Sequence, residues 1–142
     1  MLPGLFIVAV RAGQFLARDF TPIRKAFITY SYTLVPLGLM AWVAFSLSFV
    51  LTNASYVWMA LSDPFGWGWN LFGTAAQVWT PYLSLWLPSL QIVVLITGLV
   101  WSVRVVLKIS TEKLNQRSAL LLSLPLSVFH LAVTVALLGL LI

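Results

Sequence analysis

His130 is the only histidine in the sequence, and it lies within a long apolar stretch. Ser123, Ser127 and Thr134 flank it at helical spacings, which place the four polar side chains on one face of a helix. A polar face inside a membrane helix contacts protein, because polar groups are costly in hydrocarbon. These features suit a haem-iron ligand, with a second histidine supplied by a partner, or a hydrogen-bond donor to a quinone. The simpler alternative is a neutral histidine that bonds to a neighbouring helix.

A second set of polar and small residues recurs at helical spacing earlier in the chain. Gln91, Gly98 and Ser102 share one helix face, and such residues let helices approach closely and form hydrogen bonds across the contact. Arg104 follows, close to Trp101, at the predicted inner end of the same helix. It is a candidate contact for a quinone headgroup or a lipid phosphate. Snorkelling of the arginine to the membrane interface is the simpler alternative.

The sequence lacks the residues of a catalytic centre. It has no cysteine, which excludes disulfides, thiolate zinc sites and iron–sulfur ligation by this chain. Its three acidic residues form no pair suited to acid–base catalysis, and no glycine-rich phosphate loop is present. We therefore predict that the protein is not an enzyme and binds no cofactor alone. A haem or quinone would lie at an interface shared with another subunit.

The composition indicates a membrane protein. Hydrophobic residues make up 61% of the 142 residues and charged residues only 8%. Soluble domains contain about 25% charged residues, so a soluble fold is excluded. Residues 26–62, 64–103 and 118–142 carry no charge, and each stretch is long enough for one transmembrane helix of about 20 residues. We predict an all-α integral membrane protein with a single membrane domain, 1–142, whose transmembrane helices are 27–51, 82–107 and 119–141.

Residues 54–80, which connect the first two predicted spans, combine turn-forming and aromatic residues. Asn53-Ala54-Ser55 ends the first apolar run, and Asp63-Pro64 with the glycines that follow favours turns. Aromatic rings with one polar edge, such as those of Trp67 and Trp69, favour the headgroup level of a membrane. We predict an aromatic loop on the membrane surface, with Trp67 and Trp69 as contacts for a partner.

The N-terminal segment, residues 1–25, has two interpretations. Its first part is apolar, but Arg11, Gln14 and Arg18 fall on one helical face. That spacing predicts an interfacial helix that lies in the headgroup plane. The alternative is a short fourth span, which would need a partner to cover Arg11.

The basic residues predict the orientation of the spans. All eight lie on one side of the predicted topology, either before the first span or around the link between the second and third spans. Because Lys and Arg stay on the cytoplasmic side, we expect the aromatic loop and the C-terminus outside. The net charge of +5 needs no nucleic-acid partner, since basic residues beside spans fix topology and contact anionic lipid.

Two segments resemble a known family. Residues 32–53, YTLVPLGLMAWVAFSLSFVLTN, and residues 61–74, LSDPFGWGWNLFGT, resemble the membrane-embedded part of bacterial polyferredoxin-type proteins. These respiratory membrane proteins combine several spans with iron–sulfur ferredoxin modules. The resemblance covers about residues 32–102 and implies a bacterial cytoplasmic membrane. This chain departs from the family in lacking the cluster cysteines, so the resemblance implies the membrane part alone, with the redox centres on a separate subunit.

These expectations favour a small non-catalytic membrane subunit of a larger respiratory electron-transfer complex. It would anchor or stabilise redox subunits, and its partners would be other membrane subunits and lipid. Two alternatives from other functional classes are a small component of a transporter or channel, and a membrane assembly factor.

Overall fold

A computed structural model describes residues 2–141, and this part of the chain consists of helices and loops only. The helices, in chain order, are α1 (Leu2–Ala17), α2 (Ile23–Ser31), α3 (Leu34–Ser62), α4 (Leu87–Lys113) and α5 (Gln116–Leu141). Three helical segments are long and apolar enough to cross a membrane, namely Ile23–Ser62, Leu87–Lys113 and Gln116–Leu141. The predicted fold class, an all-α membrane protein with a shorter apolar N-terminal helix, is confirmed.

The long helices pack side by side in the order α3, α4, α5, with α1 on the far side of α5. The short helix α2 contacts both α1 and α3 and lies at the end of the bundle where α4 passes into α5. Lys113 marks this end, because its ammonium donates to the Thr29 hydroxyl over 3.3 Å. The basic residues therefore lie towards one end of the bundle, and the loop between α3 and α4 lies at the other.

Pro36 explains the interruption between α2 and α3. A proline has no N–H and its ring clashes with the carbonyl four residues earlier, here that of Tyr32. Tyr32 and Thr33 accordingly form a turn between the two helices. Thr33 is buried at this turn, and its hydroxyl donates to the Tyr30 carbonyl over 2.6 Å.

The helix α3 continues beyond the end predicted for the first span. Residues 54–62, predicted as the start of the aromatic loop, are helical. Asn53 is accommodated because its side-chain amide donates to the Phe49 carbonyl, one turn back, over 2.8 Å. The helix ends at Asp63, which precedes Pro64 and has a non-helical backbone, as expected for a residue before proline.

The loop between α3 and α4 folds back along the last turns of α3. The Thr74 hydroxyl donates to the Trp58 carbonyl, the Trp79 indole to the Thr52 carbonyl, and the Tyr82 amide to the Leu51 carbonyl. The helix α4 then begins at Leu87, later than the predicted start at residue 82. Pro88 lies in its first turn, where the missing N–H has no helical partner to lose.

The helix α1 runs antiparallel to α5. Phe6 packs on Phe129 with ring centroids 5.3 Å apart, and a Cβ built on Gly13 would lie 2.7 Å from the carbonyl oxygen of Leu122. Between these two contacts the residue numbers rise along α1 and fall along α5, so the two helices are antiparallel. The N-terminal segment is thus helical as predicted, and its direction along α5 is the arrangement expected of the fourth-span alternative.

Candidate functional sites: the His130 junction, the Arg104 surface and the aromatic loop

His130 joins α5 to the turn between α2 and α3. Its side chain is 0% exposed. The Nδ1 atom lies 2.6 Å from the Leu126 carbonyl, while Nε2 lies 3.2 Å from both the hydroxyl and the carbonyl of Thr33. The histidine therefore binds the turn between α2 and α3, where Pro36 interrupts the helix.

The proton positions at this junction follow from the chemistry of its partners. A carbonyl only accepts, so Nδ1 carries a proton and donates to Leu126. In the neutral ring, Nε2 must then accept, and Thr33 is the available donor. The Thr33 hydroxyl has a single hydrogen, which it gives either to Nε2 or to the Tyr30 carbonyl.

The polar residues around the junction bond to protein atoms. The Thr134 hydroxyl donates to the His130 carbonyl over 2.8 Å, and the Ser123 hydroxyl donates to the Leu120 carbonyl over 2.8 Å. Ser123 and Thr134 are buried, whereas Ser127 is half-buried. Of the four residues of the predicted polar face, His130 is the one whose side chain reaches another helix or turn.

The junction does not fit a haem ligand. An iron ligand needs one ring nitrogen with its lone pair directed at the metal. Both ring nitrogens of His130 instead face protein oxygens, and the ring is enclosed. The same contacts occupy the groups that would bond to a quinone. The arrangement matches the alternative derived from the sequence, a histidine that connects neighbouring segments.

Gln91 and Gly98 lie at the contact between α3 and α4. The Gln91 side-chain amide donates to the Ala44 carbonyl over 3.1 Å and to the Ser48 hydroxyl over 2.9 Å. A Cβ built on Gly98 would lie 2.7 Å from the Cβ atom of Met40, so the glycine permits this close approach. These positions hold α3 against α4, as small and amide residues do in membrane helix pairs.

Two further hydrogen bonds tie the α2–α3 segment to α4. The backbone N–H of Leu37 donates to the Ser102 hydroxyl over 3.1 Å, and the hydroxyls of Tyr30 and Ser110 lie 3.3 Å apart. All three side chains involved in these contacts, together with Leu37, are buried. The bundle interior is therefore held by hydrogen bonds as well as by apolar packing.

Arg104 lies on the outer surface of α4, away from the His130 junction. It lines a shallow groove of about 380 Å³ with Trp101 and Thr97, and it is exposed there. The two predicted cofactor contacts, His130 and Arg104, consequently belong to different faces of the bundle. Arg104 remains available to an acidic or polar headgroup, whereas His130 is enclosed.

The aromatic loop is held in a defined shape by Asp63. Its two carboxylate oxygens accept from the backbone N–H groups of Trp67 and Gly68, each over 2.9 Å. This use of Asp63 is the turn-forming role that its position before Pro64 favours. Gly66 and Gly68 adopt positive φ angles, which glycine reaches without steric cost.

The rings of Phe65, Trp67 and Trp69 form one surface cluster, which we call the aromatic cluster. The Phe65 and Trp67 rings stack with centroids 4.9 Å apart, and Trp69 meets Trp67 edge-on at 5.2 Å. Trp67 is nevertheless 68% exposed. The cluster thus presents a preformed aromatic surface at the end of the bundle opposite the basic residues.

The structure adds two residues to those predicted from the sequence. Thr33 is the partner of His130, and Pro36 three residues later was the signal that could have located it. Gln14 is buried at the end of α1 although its neighbours Arg11 and Arg18 are exposed. Residues 11, 14 and 18 line the same groove, and within it the Gln14 side-chain amide donates to the Thr21 carbonyl of the α1–α2 turn.

Within residues 2–141, no three His, Asp or Glu side chains are grouped to hold a metal ion. Comparison with protein-family models, with curated proteins and with solved structures gave no match.

Proposed function

We propose that this chain is a small non-catalytic membrane subunit that anchors or stabilises other subunits of a larger complex. The observation that carries the proposal is the use of the buried polar side chains. His130, Gln91 and Ser102 each take part in a hydrogen bond between neighbouring segments of the bundle. An ion path or reaction centre inside the bundle would need such side chains for its own chemistry. Their use in packing supports a structural role.

A respiratory electron-transfer complex is the assembly that we favour. The support is the resemblance of residues 32–53 and 61–74 to the membrane part of polyferredoxin-type proteins. Because the chain has no cysteine, iron–sulfur centres would belong to partner subunits, and because it has one histidine, a bis-histidine haem would need a partner's ligand. If a quinone or haem is shared with a partner, the exposed Arg104 groove is the contact that this chain offers, since His130 is enclosed.

In this proposal the protein lies in a bacterial cytoplasmic membrane with its basic end on the cytoplasmic side. The distribution of Lys and Arg supports this orientation. The aromatic cluster would then face outwards, where it contacts a partner subunit or the headgroup layer. Its ordered rings would lose little side-chain freedom on contact, which favours their use as an interface.

Gentle extraction of the tagged full-length protein from its native membrane tests the assembly. We expect stoichiometric redox subunits to accompany it and a reduced-minus-oxidised visible spectrum that reports cytochrome. A colourless preparation, alone or with a permease, would contradict the respiratory assignment and favour the transport alternative. Recovery with incomplete complexes only, and absence from the mature complex, would favour an assembly factor.

Substitution of both Trp67 and Trp69 by Ala tests the aromatic cluster. We expect loss of the partner from the mild-detergent preparation, because the stacked surface is removed while the Asp63 turn uses only backbone N–H groups. Phe72→Ala is the matched control, since Phe72 is a similarly exposed aromatic residue of the same loop outside the cluster. Unchanged partner recovery in the double variant would refute the interface.

A further inference from the structure

A groove of about 1200 Å³ lies where α1 turns into α2, at the end of the bundle that carries the basic residues. Its wall combines the cationic side chains of Arg11 and Arg18 with the exposed rings of Phe15 and Phe20. Ligand sites commonly have volumes of about 300–1000 Å³, so the groove is large enough for a lipid headgroup and the first part of its chains. The combination of cations and apolar surface suits an amphiphile with an anionic head.

Gln14 supplies the observation that points to a bound ligand. Its side chain lines the groove but is only 5% exposed. The Nε2 atom donates to the Thr21 carbonyl over 2.7 Å, which fixes the orientation of the amide, because the carbonyl can only accept. The Oε1 atom is then buried without a hydrogen-bond partner. A buried acceptor without a donor is unfavourable, so a ligand that supplies the donor gains affinity there.

The turn that forms the groove positions Arg18 at a backbone cost. Arg18 has a φ angle of 53°, in the left-handed region that favours glycine. The Asp19 N–H donates to the Gln14 carbonyl over 2.9 Å, which closes the helix end. The Asp19 carboxylate also lines the groove, but its Oδ1 atom already accepts from the N–H and hydroxyl of Thr21. Arg11 and Arg18 therefore outnumber the single carboxylate at the groove.

We propose that this groove binds an anionic phospholipid whose headgroup carries a hydroxyl, as a glycerol headgroup does. The phosphodiester would bind Arg11 and Arg18. The hydroxyl would donate to Oε1 of Gln14, which a small movement of the groove wall must first expose, since this atom is fully buried. The acyl chains would leave along Phe15 and Phe20. A choline headgroup has no donor for Gln14. An ethanolamine headgroup has one, but it places an ammonium beside two arginines.

Lipid retention by the purified full-length chain, measured by native mass spectrometry from mixed micelles, tests the proposal. The probes are phosphatidylglycerol, phosphatidylmethanol, which has the same phosphodiester charge without a hydroxyl, and phosphatidylcholine. We expect roughly tenfold stronger retention of phosphatidylglycerol than of phosphatidylmethanol, the effect of one hydrogen bond to an otherwise unpaired buried acceptor. Equal retention of these two lipids would overturn the proposal without any need for a variant.

Variants assign the effect to the groove. Arg11→Gln with Arg18→Asn should abolish the preference for anionic lipid, and asparagine tolerates the left-handed backbone at position 18. Lys108→Gln is the control for general electrostatics, because this exposed residue lies outside the groove. A similar loss in the control would show that net charge, and not the groove, selects the lipid. Soluble glycerophosphoglycerol distinguishes a lipid from a free phosphodiester, and binding as tight as that of the whole lipid would overturn the lipid assignment.

Discussion

Gln91 and Gln14 are both buried amides, exposed by 1% and 5% respectively, yet their surroundings differ. Gln91 lies between two long helices, and its amide nitrogen reaches both the backbone and a side chain of α3. Gln14 lies at the end of a short helix, where its nitrogen holds the following turn and its oxygen stays unpaired. Gln91 connects two helices by hydrogen bonds, whereas Gln14 lines a groove. Burial alone therefore does not distinguish a packing residue from a binding residue. Gln14 differs because its buried oxygen is unpaired and its side chain also lines a groove.

The surroundings of the two glutamines, on α4 for Gln91 and on α1 for Gln14, differ in the same way. Around Gln91 and Gly98, helix packing leaves no space for an added Cβ at the glycine. Next to Gln14, Gly13 packs equally closely against α5, but the side chains of Arg11 and Phe15 open into the groove. If the distinction is right, substitutions in the first region change the stability of the bundle, and substitutions in the second change what the bundle binds.

His130→Ala should have the largest effect on stability. The substitution leaves a cavity at the junction, removes the donor to the Leu126 carbonyl and removes the ring nitrogen that contacts the Thr33 hydroxyl. We expect a loss of about 3 kcal/mol in the free energy of unfolding, measured in mild detergent. Ser127→Ala, on the same helix but half-buried, is the control and should change stability little.

The same variant separates packing from cofactor ligation at His130. Where His130→Ala still assembles, we expect the visible spectrum of the complex to be unchanged per assembled unit. Loss of a haem band with wild-type stability would mean that the histidine is a ligand and that the enclosed junction is not its working state.

Gly98→Ala should have the next largest effect. The added Cβ would lie 2.7 Å from the Met40 Cβ and 3.4 Å from the Leu37 Cα, so α3 and α4 must separate or shift. We expect a loss of about 2 kcal/mol. Gly38→Ala is the matched control, because Gly38 lies in α3 with nothing within 4 Å of an added Cβ. There alanine should stabilise the helix slightly. Equal effects at both positions would show that the close α3–α4 approach is not required.

The apolar stretches of the sequence were sufficient to predict the helical membrane fold. The long charge-free runs have few structural solutions in lipid, where each backbone group needs an internal partner. The helix ends were harder to predict. Asn53 and Ser55 favour turns locally, yet the helix passes through both because Asn53 bonds within its own helix and Ser55 packs inside. The Asp63-Pro64 pair, already recognised as a turn, is where the helix ends.

The polar interior was predictable as a pattern but not as a set of pairs. The spacing of His130 with Thr134 and of Gln91 with Gly98 identified buried faces from periodicity alone. Thr33, however, lies 97 residues from His130 in sequence, and no local pattern connects them. The unpaired oxygen of Gln14 depends on how the α1–α2 turn closes, which periodicity does not describe.

Substitution of each glutamine by leucine should have the smallest effect on stability. The two variants should differ most clearly in lipid retention. Gln91→Leu removes the bonds between α3 and α4, and we expect a loss of about 1 kcal/mol with unchanged lipid retention. Gln14→Leu removes the bond to Thr21 but also the unpaired buried acceptor. These changes oppose each other, so we expect stability within about 0.5 kcal/mol of wild type.

The preference for phosphatidylglycerol should change in Gln14→Leu and stay unchanged in Gln91→Leu. In Gln14→Leu, retention of phosphatidylglycerol should fall to that of phosphatidylmethanol, because phosphatidylmethanol lacks the glycerol hydroxyls, one of which would donate to Gln14 in the wild type. Gln91→Leu should keep the wild-type difference between the two lipids. If Gln14→Leu were strongly destabilising and still selected phosphatidylglycerol, the two glutamines would both be packing residues, and the distinction drawn from the unpaired oxygen would fail.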